Sequence, residues 1–190
     1  IKKINEWYNK CCQNNKSVVE KIKISDLKEW EFDKKRSSIV HRTGAFYSID
    51  AFKITNAERE VREWDQPMIT QVGYKGGIIG LIRKNFDNIP HYLVEAKFEP
   101  GNYNKIQISP SVQVTYSNLH RAHKGEKNSI LKYLKNGKTL VNKWASEDGG
   151  RFMNKRNLHW IVENNQDIKI PGKNFKWLTL WEIKKLNLAK

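Results

Sequence analysis

The chain predicts a single α+β domain, mostly strands, with a helix at each end. Three observations lead there. Its 190 residues suffice for one good-sized core and are marginal for two. Apolar residues recur with helical spacing near the two termini. Between the termini they alternate with polar residues, the period of a half-buried strand. The chain is accordingly divided into an N-terminal helical segment, 1–24, and one larger unit, 25–190.

"WYNKCC" and "VVEKIKI" carry helical spacing across 2–24. Ser25 is placed to cap a short helix through Trp30, its hydroxyl oxygen accepting an orphan N–H. "SSIVHRTGAFYSIDAFKI" reads as two strands about Thr43–Gly44, and "PMITQVG" as a short strand. "GGIIGLIRK" reads as a buried strand whose glycines let another backbone come close. "HYLVEAKFE" is a strand, and "PGNYN" a turn with Pro second and Gly third, the type II signature. "KIQIS" and "SVQVTYS" follow as strands broken at Pro110. "SILKYLK" suits a short helix, and "GGRFMNKRNLHWIVE" a glycine turn, a loop and a strand. In "KWLTLWEIKKL", Trp177, Leu178, Leu180, Trp181 and Leu186 suit a C-terminal amphipathic helix.

Lys and Arg number 35 against 20 Asp and Glu, a formal charge of +15. Such an excess favours polyanions: nucleic acid, anionic lipid or a phosphorylated small molecule. The lysines are spread along the chain, as plain composition bias would leave them, and no basic helix or aromatic platform marks a nucleic-acid surface. No membrane partner is expected, because the longest apolar run, Ile78 to Ile82, is far too short to span a bilayer. "IKKINEWYNK" has no apolar stretch behind its basic residues, so no secretory leader is expected. Cys11 and Cys12 are neighbours and cannot staple a fold, which suits a reducing, cytoplasmic setting. His120 and His123 form an H-x-x-H without cysteine or carboxylate nearby, so no metal site is expected there.

The most informative stretch runs from Glu95 to Asn118. Side chains two apart on a strand share a face, so Glu95, Lys97 and Glu99 stand together opposite Val94, Ala96 and Phe98. A hairpin at 100–104 returns Gln107 and Ser109 to that face, and Gln113 and Thr115 extend it. Convergent amides and hydroxyls orient a polyhydroxyl ligand. The plain alternative is a solvated sheet face with cross-strand pairs. Ser117, Asn118 and Arg121 come next; Gly149, Gly150 and Arg151 form a second group. Arginine suits bidentate phosphate recognition, and glycines expose N–H donors to an anion. A plain turn with a surface arginine is the alternative. Trp64, beside Gln66, is placed either to stack on a ring or to fill a core.

"HRTGAFYSIDAF", "EREVREWDQPMITQ", "GGIIGLIRK", "LVEAKFEPGNYNKIQISPSVQVTYSN", "EDGGRF", "LHWIVE" and "FKWLTLWEI" stand in the order seen in the NDP-hexose 2,3-dehydratases, which the chain resembles over 27–186. The resemblance implies a Nudix-like mixed β-sheet with flanking helices. It implies action on a dTDP-4-keto-6-deoxyhexose, removing the C2 hydroxyl to leave a 3,4-diketo-2,6-dideoxy sugar. No cofactor is implied, because the C4 ketone already acidifies the C3 proton. The family usually carries two copies of the unit; a homodimer of this one reproduces that arrangement. A non-catalytic nucleotide-sugar-binding unit is the alternative. The family commonly has Gln where Glu95 stands.

The resemblance also distributes roles. Arg121 and Arg151 are expected to grip the diphosphate, helped by Asn118 and the Gly149–Gly150 backbone. Trp64 is expected on the nucleotide or sugar, with Gln66, Gln113, Thr115 and Ser117 bonding ribose or hexose. Thr179 falls where a strand-to-helix end approaches the ligand. The base is Glu99 or Lys97. A lysine base must be neutral, and flanking carboxylates favour the charged ammonium. That favours Glu99 as base and Lys97 as partner of the enolate oxygen. His41 is the next candidate acid, with an ordinary strand histidine as its plain reading. "REVREW" imitates the core of a Nudix box, but Ala51 and Trp64 stand where acidic residues are needed. Metal-dependent pyrophosphate hydrolysis is therefore not expected.

Overall fold

A computed structural model of the chain describes residues 1–71, 76–115 and 128–188. It has the expected α+β composition, with two sheets and helices near both ends. In chain order come α1 (Lys2–Asn14), β1 (Trp30–Asp33), β2 (Ser38–His41), β3 (Tyr47–Ile54) and β4 (Trp64–Gln71). β5 (Ile78–Phe86), β6 (Ile89–Phe98), β7 (Ile106–Pro110) and β8 (Val112–Val114) follow. The short α2 (Leu131–Lys135), β9 (Lys138–Ser146), β10 (Phe152–Met153), β11 (Arg156–Glu163), β12 (Phe175–Thr179) and α3 (Leu180–Leu188) complete it.

One sheet has the order β1–β2–β3–β4–β10, antiparallel except that β10 runs parallel to β4. The other has the path β12–β6–β5–β11–β9, with β11 parallel to β5. Its central pair splays. Ile82–Phe86 of β5 pairs with Ile89–Leu93 of β6, and the strands then part. β7 occupies the β6 side, Val94–Phe98 facing Ile106–Pro110. β8 occupies the β5 side, Ile78–Gly80 facing Val112–Val114. Ser111, fully buried, lies at the crossing.

This crossing explains the long alternation read from sequence. Ile106 packs with Ile4 and Tyr8 of α1, Val94, Ala96, Leu178 and Leu186. Val112 and Val114 pack in a second cluster with Ile82, Leu93, Leu134 and Val162. One run of alternate apolar residues therefore feeds two cores. The glycines before β5 allow the expected close approach: a Cβ on Gly77 would meet the Val114 carbonyl oxygen at 2.5 Å, and one on Gly76 would collide with that of Arg156.

Several expectations need correction. The N-terminal helix ends at Asn14, and only a 3-10 turn, Ile24–Asp26, follows before β1. Ser25 caps no longer helix; its hydroxyl donates to Asp26. The 99–102 turn closes through Asn102 N–H to Glu99 O (3.1 Å), but Gly101 lacks the positive φ that type II requires. Pro110 ends β7, so the break falls one residue later, at Ser111. Trp177 and Leu178 belong to β12, and the C-terminal helix begins at Leu180. A capping box makes that change of structure. Thr179 Oγ1 accepts the Glu182 N–H (3.2 Å), and the Glu182 carboxylate accepts the Thr179 N–H (2.7 Å).

Candidate functional site

The polar face of β6 assembles around Lys97. Its ammonium lies 2.6 Å from Glu99 Oε1 and donates to Gln113 Oε1 at 2.7 Å. Ser109 Oγ donates to the same amide oxygen at 3.4 Å. The hairpin register brings these groups together, with Glu95 opposite Ser109 and Lys97 opposite Gln107. Gln113 is reached from β8 across the splay. An ammonium has three donors, so one remains beyond Glu99 and Gln113 among the described residues. Glu95 accepts from Asn174 Nδ2 at 3.0 Å. Burial pushes the Glu95 carboxyl up from the ordinary glutamate range, against the opposing pull of Lys97 and Asn174.

Beside this group lies a cavity of about 850 Å³, between α1 and the edge of β6. The β12 ladder ends at the Phe175–Glu95 pair, with Asn174 O accepting the Ala96 N–H at 2.8 Å. Past that point the β6 edge faces the cavity, which Trp7, Cys11, Glu95, Lys97, Phe98 and Asn174 line. Trp7 Nε1 donates to Lys173 O at 2.8 Å, which fixes the indole. Neither Trp7 nor Asn174 was among the residues nominated from the sequence. A helix tryptophan and a loop asparagine carry no local mark of a site.

The second nominated group assembles on the other sheet. β10, parallel to β4, sets the "EDGGRF" turn beside Trp64 and Gln66. Trp64 Nε1 donates to Gln66 Oε1 (2.8 Å), and Gln66 Nε2 to Gly150 O (2.7 Å). The Gly150 N–H donates to Asp148 Oδ1 (2.9 Å). Arg151 is strongly exposed and pairs with Asp148 at 3.5 Å; its carbonyl holds the Ile69 N–H. Arg59 stands 5.8 Å from the Trp64 ring centroid. The Trp64 and Gln66 donors and the Gly150 N–H thus already have partners, while most of the Arg151 guanidinium stays exposed.

His41 is buried, its ring centroid 5.2 Å from Trp30 and 4.2 Å from Phe46, with Nδ1 2.8 Å from Thr43 Oγ1. Thr179 is engaged in the capping box. Thr115 is exposed just past β8 and has contacts of its own. Ser117, Asn118 and Arg121, with His120 and His123, lie outside the described residues. Among the described residues no three His, Cys, Asp or Glu side chains gather as metal ligands.

The pattern of the family described as NDP-hexose 2,3-dehydratase matches residues 1–189. The chain belongs to the NDP-hexose 2,3-dehydratase family. Three relatives bear the name dTDP-4-dehydro-6-deoxy-alpha-D-glucopyranose 2,3-dehydratase. That of Amycolatopsis orientalis is 35% identical over 191 residues, covering 96% of this chain and 40% of its own length. That of Saccharopolyspora spinosa is 33% identical over 180 residues, 93% and 36% of the two chains. That of Streptomyces violaceoruber is 33% identical over 179 residues, 90% and 39%. This dehydratase-family chain therefore spans about two-fifths of the length of the curated relatives it matches. The family match takes in α1, ahead of the motifs at 27–186. No helix among the described residues is long and apolar enough to cross a membrane.

Proposed function

We propose that the chain is a catalytic unit of a sugar-nucleotide 2,3-dehydratase, a carbon–oxygen lyase acting on a dTDP-4-keto-6-deoxyhexose in the cytoplasm. The observation that carries the reading is Lys97, held between Glu99 and Gln113 beside a cavity large enough for a nucleotide sugar.

The chemistry follows from the substrate. Glu99 takes the C3 proton, and the C3–H electrons move into the C4 carbonyl as an enolate. The Lys97 ammonium meets the oxygen where that charge develops. The enolate collapses, the C2–O bond breaks, and the hydroxyl leaves as water with the proton now held by Glu99, which regenerates the carboxylate. The resulting enol passes its hydroxyl proton to solvent and gains one at C2, giving the second ketone. A base, an oxyanion partner and a proton source suffice. The unit is proposed to work beside a second copy of itself, the arrangement that the resemblance to a family with two copies implies.

The pairing of the proposed base Glu99 with the Lys97 ammonium favours a second reading, a unit that binds nucleotide sugar without turning it over. Incubation with dTDP-4-keto-6-deoxyglucose made in situ, followed by mass spectrometry, separates the two. Loss of one water is the expected result. Binding with the sugar nucleotide intact establishes the second reading. Neither binding nor loss of water removes both.

A further inference from the structure

We propose that the cavity between α1 and the β6 edge receives the nucleoside diphosphate half of the substrate, with Lys10 and Lys173 as phosphate cations and Trp7 as the wall for the base. The proposal rests on the dehydratase reading and assigns its binding residues anew. Nothing in the motifs pointed to α1.

The cavity volume of about 850 Å³ falls within the roughly 300–1,000 Å³ range of small-molecule sites. Its lining includes Lys3, Lys10, Lys97 and Lys173 against Glu6 and Glu95, an excess of positive charge suited to a diphosphate. α1 sets Lys3, Trp7 and Lys10 along one face, at helical steps of four and three. Two turns of helix separate Lys3 from Lys10, about 10 Å, so the basic lining extends over the length of a nucleoside diphosphate rather than of a single phosphate. Trp7 is tied down through its Nε1 to Lys173 O, and Lys176 Nζ stands 5.6 Å from its ring centroid, so its indole is a preset wall for a pyrimidine with a further cation beside it. At the far side stand Glu95 and Lys97, the latter bonded to Glu99. A nucleotide seated against α1 thus delivers its sugar to the groups proposed for proton transfer. The Arg151 turn offers less, since its Gly150 N–H is bonded to Asp148 and the same carboxylate stands 3.5 Å from Arg151 Nε, where it opposes an anion.

The test is titration of dTDP into the whole chain by calorimetry. The Lys10→Glu/Lys173→Glu variant changes two exposed side chains and leaves the Lys173 carbonyl in place. It should bind dTDP about tenfold more weakly or worse, the scale of lost charge-assisted hydrogen bonds. Lys34→Glu/Lys35→Glu, in the exposed turn between β1 and β2, makes the same charge change and should bind as the native chain does. Native affinity in the cavity variant, or an equal loss in the turn variant, overturns the proposal and leaves the dehydratase reading standing. No dTDP binding by the native chain overturns both. A measurement on the native protein covers misfolding of the variant. Cys11 lines the cavity and Cys12 does not, so dTDP should slow alkylation of Cys11 severalfold relative to Cys12. Unaltered Cys11 alkylation at saturating dTDP also overturns the proposal.

Discussion

Lys97 stands between two carboxylates whose surroundings differ. Glu99 is half exposed and pairs with the ammonium; Glu95 is drawn under the Asn174 side chain. If Glu99 is the base, Glu99→Gln should retain dTDP binding and lose dehydration by at least about a hundredfold, the usual scale of proton-transfer catalysis. Turnover by mass spectrometry and binding by calorimetry read the two separately; retained turnover moves the base elsewhere. Glu95 yields a stability prediction. Burial raises its carboxyl in the folded chain above the unfolded value, despite Lys97 and Asn174. Its contribution is then present at low pH, while it is protonated, and is lost as pH rises through the folded value. Glu95→Gln should therefore gain stability over the native chain at neutral pH and lose that advantage in acid. Urea unfolding at both pH values checks this, and a constant difference refutes it. The Lys97 face was legible because alternation alone fixes which side chains share it. Asn174 was not, for it reaches Glu95 across 79 positions and only the β12 pairing brings it there.

Elements whose burial alternates were the readable ones. β5 was found as a short apolar run and β6 by the alternation that buries Val94 and Ala96. β1 was missed because Glu31 and Phe32 are both exposed, and β9 because all nine of its residues are. The run Trp177 to Trp181 mixes a strand end with a helix start, and hydrophobicity alone cannot divide it. The T-x-x-E of Thr179 and Glu182 was the sign that could have done so. Between β2 and β3 the tie is polar. Asp50 accepts from Ser38 of β2 and, at 2.7 Å, from Ser48. Burial alone would raise its carboxyl, but these hydroxyls and the Arg36 charge outweigh burial and hold it below the ordinary aspartate range. Asp50→Ala should cost about 1–3 kcal/mol at neutral pH, as hydrogen bonds to a charged group do. The difference should shrink as pH falls through the low folded value, because the native carboxylate is then protonated. A urea series from neutral to acid pH reads both effects.

The division at residue 24 read from sequence set the N-terminal helix apart, but α1 contributes to a shared core. Ile4 and Tyr8 pack with Val94, Ala96, Leu178 and Leu186, and the buried Tyr8 hydroxyl donates to Ile106 O at 2.7 Å. Ile4→Ala should therefore cost about 2–5 kcal/mol, the range for truncating a core isoleucine, and lower the melting temperature. An unchanged melting curve would show α1 to be an appendage. The crossing at Ser111 ties the two cores to each other. Residues 106–114 are stitched to β6 by one end and to β5 by the other, and their side chains enter both cores. Pulling either core apart strips the strand from its neighbour in the other. The two cores should then melt as a single foldon, with the amides that join β7 to β6 and β8 to β5 exchanging with deuterium at a common, global rate.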